Sequence, residues 1–103
     1  MVEVAFTYDF HPDMDEEAYK RVARKATALM VSAEGFIEIK ANRNMLGSPN
    51  VRRSSVWDSM ENWAKLAETP EFQKVTQEFR KYVTNTNVNI WGASPYMPEP
   101  IKP

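Results

Sequence analysis

Residues 2–10, VEVAFTYDF, alternate between two faces. Val2, Val4, Phe6, Tyr8 and Phe10 fall on one, and Glu3, Ala5, Thr7 and Asp9 on the other, the period-two pattern of a strand buried on one side. Pro12 ends it. The period then changes: Tyr19, Val22, Ala23, Ala26, Leu29, Met30 and Ala33 recur at spacings of three and four. Lys20, Arg21, Arg24 and Lys25 lie opposite, so an amphipathic helix is predicted. Asp13 and Glu16 have capping-box spacing, and Asp15, Glu16 and Glu17 put carboxylates at the positive end of the helix dipole. Gly35 stands where a helix-ending glycine belongs.

FIEIKAN (36–42) and VRRSSVW (51–57) read as the second and third strands. The loop NMLGSPN between them is rich in turn formers, which predicts an antiparallel hairpin. Asp58 and Glu61 suggest another cap, opening a helix that carries Trp63, Leu66 and Ala67. Thr69-Pro70 interrupts it, with Thr69 as N-cap and Pro70 at the first position of a restarted helix. Phe72, Val75, Phe79, Tyr82 and Val83 form its apolar stripe. TNVNIWG (86–92) is the fourth strand. The tail ASPYMPEPIKP is too proline-rich for helix or central strand and reads as an extended arm. The expectation is a domain over 1–93 and an arm over 94–103.

The order β-α-β-β-α-β predicts an α+β class, ferredoxin-like fold: a four-stranded antiparallel sheet with two helices on one face. The other sheet face, expected to include Ala5, Thr7 and Trp91, is left uncovered and half apolar. A ligand, a nucleic acid or a second copy of the chain would cover it.

Composition narrows these choices. At 103 residues there is room for one domain. Net charge is −1 with a pI near 5.8, and basic residues cluster only in scattered pairs, so a nucleic-acid partner is not expected. No apolar run approaches the ~20 residues that span a bilayer, and residues 1–10 do not resemble a secretion signal. The absence of cysteine removes thiol nucleophiles and sulfur-ligated metals and fits a reducing compartment. A cytoplasmic protein without membrane contact is expected. Three glycines and no G-x-S-x-G argue against a phosphate cradle or a hydrolase elbow.

Four groups of residues could carry chemistry. His11, the only histidine, is either a general base or a loop residue before a helix; as a metal ligand beside Asp9 and Asp13 it lacks convergent partners. Arg52 and Arg53 point to opposite sheet faces. Arg53 either pairs with Glu3 or Glu38, or joins Trp57 in clamping a planar acidic or phenolic molecule. Tyr8, Trp57, Trp63, Phe72, Tyr82 and Trp91 either pack the core or wall a pocket for a flat ligand. Asn87 and Asn89 alternate with Val88 and Ile90 and should lie on the far face.

The run S-x-x-W-D-S-x-E-x-W (54–63), with E-G-F at 34–36 and T-P-E-F at 69–72, resembles the antibiotic biosynthesis monooxygenase family of the dimeric α+β barrel superfamily. The resemblance implies a homodimer with two sheets face to face and a pocket between each sheet and its helices. It implies cofactor-independent oxidation of a small aromatic or polyketide-like substrate, with no metal. In that reading His11 or Tyr8 is the base and Arg53 holds the anion. Trp57, Trp63, Phe72, Tyr82 and Trp91 bind substrate. The alternative is a non-enzymatic small-molecule-binding or sensing dimer of the same fold. Haem degradation is disfavoured, because Thr7, Leu66 and Thr76 stand where that branch uses Asn, Trp and His. An RNA-recognition motif shares the strand order, but VRRSSVWD lacks its Gly-aromatic core.

Overall fold

The computed structural model describes residues 1–103. Its elements are β1 (Val2–Phe10), α1 (Glu16–Val31), β2 (Phe36–Arg43), β3 (Val51–Trp57), α2 (Met60–Ala67), α3 (Pro70–Phe79) and β4 (Val83–Trp91). The strands make one antiparallel sheet in the order β2-β3-β1-β4. This is the expected ferredoxin-like α+β fold, with the second helical region divided into α2 and α3 at Thr69-Pro70. No helix is long and apolar enough to cross a membrane.

The helix starts differ in detail from the expected caps. Asp15, not Asp13, caps α1, its Oδ1 accepting from the Ala18 N–H at 3.2 Å. Ser59, not Asp58, caps α2, accepting from the Asn62 N–H at 3.2 Å. Asp58 instead accepts from the Asn62 side-chain amide at 2.8 Å. Thr69 caps α3 with Pro70 in its first turn, as the sequence suggests.

The α1 helix ends at Ser32, so Gly35 is not its terminating residue. Gly35 has φ +85° in the turn before β2, and its carbonyl accepts from the Asp58 N–H at 2.9 Å. A Cβ there would come within 2.7 Å of the Asn62 Cβ. The missing side chain lets the α1–β2 turn lie against the start of α2.

The core divides into two clusters. Val4, Met30, Trp57, Leu66 and Phe72 form one, joined by Phe36, Ile39 and Trp63. Tyr8, Val22, Phe79 and Val83 form the other, joined by Phe6, Tyr19 and Tyr82. β1 contributes Val4 to the first and Tyr8 to the second, so the clusters sit at opposite ends of one sheet face.

Asp9 of β1 ties the β2–β3 loop to the start of β4. Its carboxylate accepts from Ser48 Oγ at 2.7 Å, the Asn50 N–H at 2.8 Å and Asn85 Nδ2 at 3.2 Å. These donors, the Ser48 hydroxyl foremost, hold its carboxyl below the usual carboxylate range.

The far sheet face is more polar than expected. Strand pairing sets Glu3 beside Val56 and Trp91, Ala5 beside Ser54 and Asn89, and Thr7 beside Arg52 and Asn87. Glu38, Lys40 and Asn42 complete the face on β2. Its large exposed apolar side chain is Trp91. Asn87 and Asn89 lie on this side, as the alternation of β4 indicates. Residues 92–103 carry no helix or strand, and Tyr96, Met97 and Ile101 are exposed.

Candidate functional site

Between the two core clusters lies a cavity of about 240 Å³. The strand register orders its floor. Val4 pairs with Ser55, and Ser55 with Ile39, at one level. Phe6 pairs with Arg53 and Val88 two residues along β1. Above the first level stand Met30 of α1, Trp63 and Ala67 of α2, and Phe72 of α3. Above the second stand Ala26, Thr76, Phe79 and Arg80. Trp63 and Phe72 mark one end of the cavity, and the other, where Phe79 packs on Phe6 with centroids 5.8 Å apart, also carries the guanidinium groups of Arg53 and Arg80.

Arg53 shares a sheet face with Trp57, and the helix side is where both side chains lie. Its expected carboxylate partners do not meet it: Glu3 and Glu38 both flank Val56 on the far face. Arg53 Nη2 instead donates to Thr27 Oγ1 at 2.7 Å. The ion pairs of the chain join Lys20 to Glu16 and Glu17, and Lys65 to Glu34. Neither Arg53 nor Arg80 has a carboxylate partner.

Trp63 and Phe72 line the cavity edge to face, their centroids 5.8 Å apart at 86°. Trp57 sits behind Trp63, with centroids 5.7 Å apart, and is 0% exposed. Its Nε1 donates to Ser55 Oγ at 2.9 Å, so it orients a hydroxyl that lines the cavity without lining it itself.

The other expected site residues lie elsewhere. Tyr8 is fully buried under α1, sharing a hydrogen bond with the Tyr19 hydroxyl. Burial, and then that hydrogen bond, push its phenol far above the ordinary tyrosine range, so it holds its proton and is not suited to act as a base. His11 is exposed in the turn after β1, its Nδ1 accepting from the Asp13 N–H at 3.2 Å. Tyr82 packs against the Phe79 cluster, and Trp91 stands on the far sheet face. None of these four side chains lines the cavity. Its lining contains no histidine, carboxylate or tyrosine. No three His, Asp or Glu side chains converge as a metal site.

The family model for antibiotic biosynthesis monooxygenases matches residues 1–78. The chain belongs to the antibiotic biosynthesis monooxygenase family. No curated protein is similar enough in sequence to count as a relative. Among solved structures, a mutant of SnoaB, a cofactor-independent oxygenase from Streptomyces nogalater, superposes with a TM-score of 0.75. It is 18% identical, over 95% of this chain and 97% of that one. A protein from Arabidopsis thaliana gives 0.77 at 13% identity, over 91% and 96%. A conserved protein from Methanosarcina mazei Go1 gives 0.76 at 12%, over 87% and 89%. At such distances the likeness is one of fold.

In this monooxygenase-family chain, the main site residue that sequence reasoning missed is Arg80. Beside Lys81 it reads as part of a solvated helix end. Only the return of α3 to the edge strand brings it to the cavity, where its Nη1 lies 3.5 Å from Thr86 Oγ1. Phe6, Ile39 and Val88 were legible in principle, since each pairs in register with a residue on the Arg53 face.

Proposed function

We propose that the protein is a monooxygenase that binds a small aromatic substrate in this cavity and oxidises it with the substrate's own electrons. The observation that carries the reading is a largely apolar, aromatic-walled cavity with a guanidinium that has no carboxylate partner at one end. Family membership supports it, as does the resemblance in fold to a cofactor-independent oxygenase. Trp63 and Phe72 hold the ring, a ring hydroxyl or acidic C–H gives its proton to solvent water, and Arg53 stabilises the negative charge left on the ring oxygen. Such charge makes the ring electron-rich enough to reduce O₂. At an activated ring methylene, CH₂ and O₂ give C=O and water. One oxygen atom becomes the new carbonyl on the ring carbon, and the other leaves as water with the two hydrogens of the methylene.

Oxygen uptake on a panel of cyclic ketones and quinols tests this. Arg53→Ala is expected to lower kcat by about a hundredfold, the typical effect of removing one oxyanion donor. No uptake on any substrate that binds would overturn the oxygenase reading. The absence of a base among the lining residues favours one rival, a non-enzymatic binding or sensing dimer, which would bind ligand without consuming oxygen.

The far sheet face supports a homodimer in this proposal. Glu3, Glu38, Lys40 and Arg52 all lie on it and none is in an ion pair within the chain. Two copies related by a two-fold axis can match these opposite charges.

A further inference from the structure

We infer that the natural ligand of the cavity is an aromatic acid of one or two rings, bound as its anion with the carboxylate held by Arg53 and Arg80. This rests on the proposal that the cavity is the substrate site, and it adds the ligand's charge, size and direction.

The charge follows from what is missing around the guanidiniums. Arg53 is half-buried on the cavity floor, and its hydrogen-bond partner is the neutral Thr27 hydroxyl. A guanidinium withdrawn from water wants an anion, and carboxylate is the geometry it matches best. Thr27 supplies no charge, and Oγ1 of Thr27 itself donates to the Ala23 carbonyl at 2.9 Å. Arg80 is exposed at the same end, held only by a long 3.5 Å contact to Thr86. It is free to turn toward a ligand entering the cavity. The lining offers no base, so the anion that suits these cations best is one that ionises before it enters. A carboxylic acid does so at neutral pH, whereas a simple phenol does not.

The direction follows from the register. The level of Phe6, Arg53 and Val88 is the cationic end, and the level of Val4, Ser55 and Ile39 is the apolar end. The acid group faces the first, and the ring lies at the second against Trp63 and Phe72. The size follows from volume. A protein cavity of about 150 Å³ holds one benzene ring. The 240 Å³ here has room for a second fused ring, and a third would extend out of the cavity.

The test is a binding titration of the wild-type protein with 2-naphthoate and its neutral analogue 2-naphthamide. Tryptophan emission reports binding, and calorimetry confirms it. The acid is expected to bind at least about tenfold more tightly than the amide. Arg53→Gln and Arg80→Gln should each weaken 2-naphthoate several-fold and leave 2-naphthamide unchanged, while Lys81→Gln changes neither. Anthracene-2-carboxylate should bind more weakly than 2-naphthoate. Equal affinity for acid and amide, or no binding of either, overturns the inference. So does an unchanged acid affinity in Arg80→Gln, whose exposed side chain can be replaced without disturbing the core. Oxygen uptake on a neutral substrate, with acid and amide bound alike, would remove this inference and leave the oxygenase reading standing. Selective acid binding without any oxygen uptake would do the reverse.

Discussion

Replacing Trp57 and Trp63 in turn by phenylalanine separates two roles that one aromatic cluster combines. Trp57 is 0% exposed, with Phe36 at 5.6 Å and Trp63 at 5.7 Å. Truncating a buried Trp to Ala costs about 3–5 kcal/mol. Phenylalanine keeps about two-thirds of the ring system, so the packing loss falls to about 1–1.7 kcal/mol by proportion. The hydrogen bond from Nε1 to Ser55 Oγ adds up to about 1 kcal/mol. That last loss is softened because Ser55 lines the cavity, where water can reach its hydroxyl. The total for Trp57→Phe is about 1–2.5 kcal/mol. Trp63 is only partly buried and has the cavity on one side, so Trp63→Phe should cost less than about 1 kcal/mol. Ligand affinity should show the opposite order: Trp63→Phe weakens 2-naphthoate several-fold and Trp57→Phe leaves it nearly unchanged. Urea unfolding at matched protein concentration gives the stabilities, since a dimer would make them concentration-dependent. Equal destabilisation by the two substitutions, or a larger affinity loss from Trp57→Phe, would refute the assignment of Trp57 to the core and Trp63 to the site.

Gly35→Ala should destabilise the fold by about 1–3 kcal/mol in thermal melts, because it combines a left-handed φ with a clash against Asn62; a change within error would refute the close approach. Asp9→Asn should lower stability at neutral pH. A carboxyl held below its ordinary range stabilises above the unfolded value of about 3.9 and loses that contribution as pH falls through the lower folded value. The gap between wild type and variant should therefore close in acid denaturation series below about pH 4, and a gap independent of pH would refute the Ser48–Asp9–Asn85 arrangement. Sedimentation at micromolar concentration is expected to give a dimer that weakens in high salt, and a monomer would remove the far face as its interface.

The elements were largely legible because their periods are clean. β1 alternates without a break, and α1 keeps one stripe whose Val22, Ala26 and Met30 are all buried. The Arg53–Trp57 face was legible from parity alone. What parity cannot supply is register between strands distant in sequence. A shift of one residue in the β1–β4 pairing would bring Trp91 to the helix side, and only the observed pairing with Glu3 puts it on the far face. Depth is equally hidden: Trp57 and Trp63 look alike in sequence, yet one ends a central strand under two helices and the other sits on a helix at the cavity wall. The cap of α1 moved because Asp13 and Asp15 are chemically equivalent. The hydrogen bond from Ala18 chooses between them.

The cavity itself poses an energetic question. A chain of this size leaves space in the middle of its core, although filled space would hold the two clusters together better. Small side chains keep it open, Ala26 from α1 and Ala67 from α2. Ala67→Leu tests whether that openness serves the ligand. The three added carbons would be buried at about 0.8 kcal/mol each at most, and rotamer loss reduces the gain to about 1–2 kcal/mol. Leucine is also nearly as good a helix former as alanine, so α2 should tolerate it. The variant is expected to melt several degrees higher and to lose 2-naphthoate binding, the trade between stability and function that an evolved site shows. A variant that is destabilised by overpacking would mean that the space is not there. One that is stabilised yet binds as before would move the ligand away from Trp63 and toward the arginine end alone.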